Sequence, residues 1–570
     1  MPYRAPLSEF RFLLEHVVGY QGITKIERFA HADLGTADAI LTEAGKLAEE
    51  VLAPLRRAGD LSPARLENGV VRTPPGYRDA YDAIAAGGWV GASAPEAYGG
   101  MGLPQTLTAC IHEMMSSTCI SLQLNPLLTH GQIEALAQHA DDTIKAAYLP
   151  KLASGAWSGT MNLTEPQAGS DVGALRTRAE PAGDGNYRIT GQKIYITWGD
   201  SDLTENVCHL VLARLPDAPA GSRGISLFLV PKFLPAPDGA PGQPNALRVV
   251  GLERKLGLHG SPTATMEYSG ATGWMIGEAN AGLTAMFTMM NNARLLTGVQ
   301  GVGLAEAAHQ AAVAFAADRR QGRTGGAQGT INEHPDVRRM LLTMEAEVFA
   351  ARATLLTCAG AIDRAAASGD LIWHARAAWL TPIAKTMGAE TGHRVAQEAI
   401  QVHGGLGFIE DTGIAQLARD ARIVSIYEGT SGIQAADLVM RKLADGGAAA
   451  DALLDEIGRT AKAGRDRFPQ IAQALWTAAE SMRDVTEWLT TEASAEDKLA
   501  GSLAYLRAFS WVLGAQLHLV SALAEPKSGR RGALASVYAT RVLPRHAADL
   551  AEARAGISDL AALNPQALPA

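Results

Sequence analysis

Cysteine is scarce in this sequence: Cys110, Cys119, Cys208 and Cys358 are the four in 570 residues, and none forms a Cys-x-x-Cys pair. Structural zinc sites and disulfide frameworks need close, paired spacings, so neither organises this chain. The expectation is four reduced, buried thiols behaving as small hydrophobes in a reducing compartment. Long hydrophobic runs are missing too, and no apolar stretch reaches the roughly 18 residues of a membrane span. The segment Met1–Tyr20 places Phe10, Leu13, Leu14, Val17 and Val18 at helical spacing but interrupts them with Glu9, Arg11, Glu15 and His16. That pattern is an amphipathic helix rather than a secretory signal, so a cytoplasmic location is expected. An excess of positive charge is also lacking. The formal charge is 50 − 59 = −9, which argues against non-specific nucleic-acid binding. A few local arginines would still suffice to hold phosphates.

What is present is ordinary globular composition, 47% hydrophobic and 19% charged. A chain of this length should divide into several domains, since single cores stop growing at roughly 250–300 residues. Abundant alanine and glycine permit close helix packing.

The order of patterns predicts an α+β protein in four parts. Residues 1–155 read as a helical N-terminal domain. Ile40, Leu41, Ala44, Leu47, Ala48, Val51 and Leu52 share a helical stripe that Pro54 should end. Residues 156–280 read as an antiparallel β-barrel or sandwich. Short β-branched runs occur at Tyr187–Thr190, Lys193–Thr197, His209–Ala213, Ile225–Val230, Leu247–Val250 and Ala264–Tyr268, and Gly183-Asp184-Gly185-Asn186 is a hairpin turn. Residues 281–445 return to the helical period. Val337, Leu341, Met344, Val348, Ala351 and Leu355 lie on one face after Pro335. Asp445-Gly446-Gly447 marks a break before an extra helical C-terminal domain, residues 446–570.

Three segments have the composition of a site. Met161 to Val172 is a Pro/Gly turn rich in hydroxyls and backbone donors, able to hold phosphates or a polar ring, though by itself a plain turn closing onto the β domain is the favoured reading. Gln401-Val402-His403-Gly404-Gly405-Leu406-Gly407-Phe408 lets backbone approach a ligand, yet lacks the G-x-G-x-x-G spacing and reads locally as a helix end with a packed or capping His403. In Arg422 to Ser431, Glu428 follows an apolar stretch, where a carboxylate has a raised pKa suited to a general base, although on this segment alone a surface glutamate beside a helix cap is the favoured reading. Thr430 and Ser431 stand where they would cap the next helix, Ile433–Leu443.

Taken in order, Tyr98-Gly99-Gly100-Met101-Gly102, Leu163 to Asp171, Arg254-Lys255-Leu256-Gly257, Ser261-Pro262-Thr263, Gln401 to Gly407 and Tyr427-Glu428-Gly429-Thr430-Ser431 resemble the acyl-CoA dehydrogenase family. The opening Tyr3-Arg4-Ala5-Pro6 and the extra C-terminal region resemble its longer bacterial branch. That branch includes 3-methylmercaptopropionyl-CoA and long-chain acyl-CoA dehydrogenases. The resemblance implies FAD as cofactor, an acyl-CoA substrate, electron-transfer flavoprotein as electron acceptor, and a homodimer or higher homo-oligomer. It implies no metal. It places Met161, Leu163 and Thr164 near the flavin ring and Ser170 near the FAD pyrophosphate or the substrate. Tyr195 and Thr197 match the strand flanking the flavin, Tyr195 standing where many relatives have Trp. Arg319, Gln401, Gly404 and Gly405 match residues that reach FAD across a subunit interface, and Thr430 a further cofactor contact. Arg294, Asn291 and Gly429 match substrate-side positions, with Asn291 where some relatives have Asp. Gly432 replaces a larger polar residue of some relatives. Gln321-Gly322-Arg323 lacks the Phe-Gly of shorter members, so no adenine contact carries over there.

The implied reaction is α,β-dehydrogenation of the thioester to a trans-2-enoyl-CoA. Glu428 takes the α-proton, hydride leaves the β-carbon for the flavin, and the thioester oxygen accepts hydrogen bonds from the Glu428 N–H and a ribityl hydroxyl. Two alternatives share the resemblance: an acyl-CoA oxidase admitting oxygen, and a DNA-binding flavoprotein relative with little catalysis. The second would use a basic patch at Arg530, Arg531, Arg541 and Arg545, residues that otherwise form an ordinary solvated helix face.

Overall fold

In the computed structural model, residues 3–323, 325–326, 328–525 and 529–563 are described. They form two compact units. One is Glu43–Ala293; the other joins Tyr3–Thr42 to the chain from Arg294 onward.

The first unit opens with helical segments and then the long helix α1 (Gln105–His139), which is buried on nearly all sides. A helix with no solvent face must satisfy its own hydroxyls, and it does. Ser116, Ser117 and Thr118 donate to the carbonyls of His112, Glu113 and Met114 at 2.6–2.9 Å. Cys119 breaks the helical geometry (φ −152, ψ 74).

The sheet that follows is assembled from β1 (Trp157–Asn162), β2 (Arg178–Gly183), β3 (Asn186–Thr197), β4 (Asn206–Ala213), β5 (Ser226–Pro231), β6 (Leu247–Leu252) and β7 (Thr263–Ile276). Its order is β1-β4-β5-β7-β3-β2, with β6 also on β7. The edges approach each other. Arg214 N donates to Thr177 O and Ala179 N to Arg214 O (2.9 and 2.8 Å), so β2 meets the chain leaving β4. The alternation along β7 sends Ala264, Met266, Tyr268 and Ala271 into a core shared with Ile189, Ile196, Phe228 and Val230.

Two details differ from the sequence expectation. The separate runs at 187–190 and 193–197 are one strand, β3, because Gly191 (φ 157) is extended and the ladder to β7 continues through it. The sheet is also not wholly antiparallel: β1 pairs with β4 in parallel. The long excursion between these two strands gives the chain room to return in the same direction. The β2–β3 hairpin is as expected, with Asp184 and Gly185 both at positive φ (52 and 75).

The second unit is helical. Leu7–Leu13 runs on into a wider turn, Leu14–Val18, and buries Phe10, Leu13, Leu14 and Val18. The long helices are α2 (Gly282–Asp318, belonging here from Arg294), α3 (Pro335–Ser368) and α4 (Leu371–His403). Pro335 stands at the start of α3, and Asp370 caps α4 by accepting from Ile372 N at 2.9 Å. After Asp445 come Ala448–Gly464, Pro469–Thr491, Ala495–Ala524, Arg530–Arg541 and Arg545–Ala555. Ser494 and Asp497 form a capping box at the third of these.

α2 and α4 touch backbone to backbone. A Cβ at Gly301 would lie 2.2 Å from Gly388 O, and one at Gly298 2.8 Å from Ala384 O. Gly301→Ala is therefore expected to lower the stability of the flavin-free protein by about 1–3 kcal/mol. Gly169→Ala, whose added methyl meets nothing within 4 Å, is expected to change it by less than about 0.5 kcal/mol. Chemical denaturation followed by circular dichroism compares the two.

Candidate active site

Glu428 sits between a 3-10 turn (Arg422–Ser425) and the short helix α5 (Ser431–Asp437). To pass from one to the other the chain takes two left-handed residues, Glu428 (φ 57) and Gly429 (φ 87). Gly429 accepts this without a Cβ clash; a glutamate does so at a cost of about 1–3 kcal/mol. Buried donors hold both carbonyls. Gln434 Nε2 donates to Glu428 O at 3.1 Å, and Lys385 Nζ, from α4, donates to Gly429 O at 2.9 Å. Tyr427 is fastened through its hydroxyl to Gln300 Oε1 on α2. Thr430 caps α5, accepting from Ile433 N at 3.2 Å, in keeping with its residue type and position.

The Glu428 carboxyl is pushed up to about 7, above all by burial, with Arg294 and Lys385 pulling it back. Lys385 has no exposed surface and is pushed down to about 8, again by burial and against the attraction of Glu428. Arg294, buried on α2, faces Asp437 at 4.0 Å. A carboxyl with this pKa, among two cations and fixed backbone, can accept a proton near neutral pH.

In the first unit the segment Leu163–Thr177 is pinned by a buried ion pair. Glu165 Oε1 lies 2.8 Å from Lys193 Nζ, and the carboxylate also accepts from Arg176 N (2.7 Å), Thr177 N (3.0 Å) and Thr177 Oγ1 (2.6 Å). Burial works to raise this carboxyl, yet the Lys193 charge and these donors hold it well below the usual range. Lys193 also donates to Leu163 O at 3.0 Å, and Ile194 N to Thr164 O at 2.9 Å. Met161, Leu163 and Thr164 thus stand on a rigid support, half-buried, with Ser170 exposed further along. Tyr195 occupies a bulge between Lys193 and Ile196 opposite β7, with φ 60 and 60% of its surface exposed. Thr197 pairs with Thr263. Trp198, also left-handed (φ 53) and fully buried, donates to Ser121 O at 3.2 Å.

Among the described residues, the bulky residues at positive φ are Tyr195, Trp198, Leu258 and Glu428. Each lies in, beside or between the motif segments named above, where strain of this kind is most often kept for function.

The remaining expected residues sit at element ends. Arg319 follows the last turn of α2; Gln401, Gly404 and Gly405 end α4, exposed, with nothing within 4 Å of a Cβ on either glycine. Phe315 and His403 stack at 4.2 Å and bring those two ends together, so His403 is a packing residue. Asn291 is exposed on α2. The four cysteines are free and buried. Three of the four C-terminal arginines are spent in ion pairs: Arg530 with Glu345, Arg531 with Glu9 at 2.9 Å and Arg545 with Glu347 at 2.6 Å.

Several residues of the site carry no mark that sequence reasoning picks out: Gln300, Gln434, and the Glu165–Lys193 pair. Lys385 was missed as well, although it leaves a signal, as a lone cation in the apolar run Trp379–Ala389.

The residues fit FAD. The first unit by itself offers an exposed, rigidly backed aromatic ring (Tyr195) and a donor-rich loop, and the second by itself a buried, unpartnered Ser431 Oγ beside Thr430, each a feature that a dinucleotide would use. No helix among the described residues is long and apolar enough to cross a membrane.

Comparison with known proteins agrees. Models of the acyl-CoA dehydrogenase N-terminal, middle and C-terminal domains match residues 36–156, 160–271 and 280–443, and an acetyl-CoA dehydrogenase C-terminal-like model matches 453–564. The chain is 44% identical to the 3-methylmercaptopropionyl-CoA dehydrogenase of Ruegeria pomeroyi over 95% of its own length and 96% of that protein's. It is 35% identical to the broad-specificity linear acyl-CoA dehydrogenase FadE5 of Mycobacterium tuberculosis, covering 77% and 75%. In fold it is similar to Caenorhabditis elegans ACDH-11 in complex with C11-CoA (TM-score 0.79, 19% identity, covering 94% and 91%). A Bacillus anthracis acyl-CoA dehydrogenase complexed with FAD is similar too (TM-score 0.73, 20% identity, covering 93% and 89%). The chain belongs to the acyl-CoA dehydrogenase family and is an FAD-dependent oxidoreductase.

Proposed function

We propose that this enzyme oxidises an acyl-CoA thioester to the trans-2-enoyl-CoA, with Glu428 as the base that removes the α-proton. The observation that carries this reading is the Glu428 carboxyl itself, brought near neutrality by burial and set on a left-handed backbone whose carbonyls are fixed. Its own N–H is the donor we assign to the thioester oxygen, where charge develops as the α-proton leaves. Arg294 and Lys385 keep the carboxyl ionised enough to act. Tyr195, Thr197, Met161, Leu163, Thr164, Ser170 and Thr430 would hold FAD, which when bound supplies the hydride acceptor. Arg319, Gln401, Gly404 and Gly405 are assigned to a neighbouring copy's cofactor. An exposed apolar group at the same place, Leu406, Phe408 (87% exposed) and Ile409, supports association of copies. Gly429 and Asn291 are assigned to the substrate side, and electron-transfer flavoprotein to the reoxidation step.

The substrate class we favour is a short, sulfur-containing acyl-CoA, because the extended similarity to the Ruegeria enzyme covers the C-terminal helices as well. A linear fatty acyl-CoA is the second reading, supported by FadE5.

Glu428→Gln should retain FAD yet lose flavin reduction by substrate by at least about 10²–10⁴-fold, the usual worth of a positioned base. Stopped-flow absorbance under anaerobic conditions measures it, and normal bleaching in the variant would exclude Glu428 as the base. In the wild type the same rate should rise with pH through about 7, as the carboxyl ionises.

Stability gives an independent readout. A carboxyl raised in the folded state stabilises fully below its ordinary value of 4.5, and that contribution is lost as pH rises through about 7. The stability of flavin-free wild type relative to Glu428→Gln should therefore fall between those values and level off above them, as followed by thermal melts in a pH series. An anaerobic titration with acyl-CoAs from butyryl to palmitoyl, together with 3-methylmercaptopropionyl-CoA, should show strongest bleaching with the last.

A further inference from the structure

A buried ammonium is expensive unless acceptors and opposite charge surround it. Lys385 has no exposed surface and lies in the stretch of α4 that meets α2, between Ala384, whose carbonyl faces Gly298, and Gly388, whose carbonyl faces Gly301. The crossing leaves its backbone no freedom to shift. Its side chain reaches the Gly429 carbonyl at 2.9 Å. That carbonyl belongs to the second of the two left-handed residues that aim Glu428. One hydrogen bond to a neutral carbonyl uses one of three donors and cancels none of the charge.

The neighbouring charges have other partners. From α2, Arg294 faces Asp437 at 4.0 Å, and Asp437 also faces Arg441 at 3.2 Å. On α4, Glu390 is gripped by Arg507 at 3.0 Å through both oxygens. The Tyr427 phenol is kept protonated by burial and donates to Gln300. Arg294 and Lys385 both favour the ionised Glu428 carboxylate, and Lys385 also holds the Gly429 carbonyl.

We propose that Lys385 is the positioning residue of the base: its ammonium locks the Gly429 carbonyl, and so the left-handed turn, while its charge favours the ionised Glu428 carboxylate. This rests on the reading of Glu428 as the base only for its catalytic consequence; the lock and the charge are properties of the folded chain.

The test compares wild type, Lys385→Met and Lys385→Arg as holoenzymes, in anaerobic single-turnover reduction of the flavin by the most effective acyl-CoA across a pH series. Lys385→Met should move the midpoint of the pH–rate profile upward by roughly 1 unit, as expected on losing a nearby opposite charge. Lys385→Arg should bring it back. A rate depressed equally at every pH, with the midpoint unmoved in Lys385→Met, would mean a purely structural lysine and overturn the proposal. If Lys385→Met does not fold, Lys385→Gln, which keeps a donor toward Gly429 without the charge, carries the same comparison. The Glu428 midpoint is also read without turnover, from the pH dependence of stability between flavin-free Glu428 and Glu428→Gln proteins in the Lys385 and Lys385→Met (or Lys385→Gln) backgrounds. An identical midpoint in both backgrounds overturns the proposal whatever Glu428 does in catalysis. A shifted midpoint alongside normal flavin reduction by Glu428→Gln upholds it and removes only the base assignment.

Discussion

The contact between α2 and α4 underlies the helical unit that holds Glu428. Two helix backbones meet where Gly298 and Gly301 face Ala384 and Gly388, closer than any residue with a side chain on α2 would permit. Helices so joined cannot slide by a residue without driving a Cβ into a carbonyl. Several of the contacts that shape Glu428 come from these two helices. Lys385 and Arg294 come from the two helices on either side of the crossing, Gln300 anchors Tyr427 from α2, and Lys385 holds Gly429 from α4. The abundant small residues are the means by which three distant parts of the chain are made to converge on one carboxyl.

The electrostatics follow from this geometry. A carboxyl in water would be fully ionised at neutral pH and a weak base; one buried without compensation would hold its proton too tightly. Burial raises Glu428, and two cations limit the rise. Glu165 shows the opposite balance. It is buried, but an ion pair with Lys193 and three hydrogen-bond donors from Arg176 and Thr177 overcome the desolvation, so it stays charged and serves as a staple. A buried and a half-buried glutamate in one chain thus differ in charge because Glu165 has its oxygens saturated with donors and Glu428 does not.

Backbone strain marks the same places. Glu428 and Tyr195 adopt left-handed conformations in two unlike settings, a helix junction and a strand bulge. In each the residue is followed or flanked by tightly held neighbours: Gly429 and Gln434 at the first, Lys193, Ile196 and the buried Trp198 at the second. The surrounding structure imposes the conformation, and the side chain is thereby presented rather than packed away.

Much of this protein is legible in its amino-acid sequence. The switch from period 3.6 to period 2 and back locates the helical and β regions, because burial of one face forces those periods on any sequence. Asp184-Gly185, Pro335 and Thr430 announce their turn, helix start and cap through local chemistry alone. The ordered motifs are enough to point to the family, and Glu428 is visible as an acid after an apolar stretch. What only the tertiary structure decided are relations between residues far apart in the chain. The parallel pairing of β1 with β4, the burial of Lys193 against Glu165, and the approach of Lys385 to Gly429 leave no local pattern. Nor could composition reveal that Arg530, Arg531 and Arg545 are neutralised by Glu345, Glu9 and Glu347. Periodicity reports which way a side chain faces; the partner it meets, and so its charge state, is fixed only when separate elements pack.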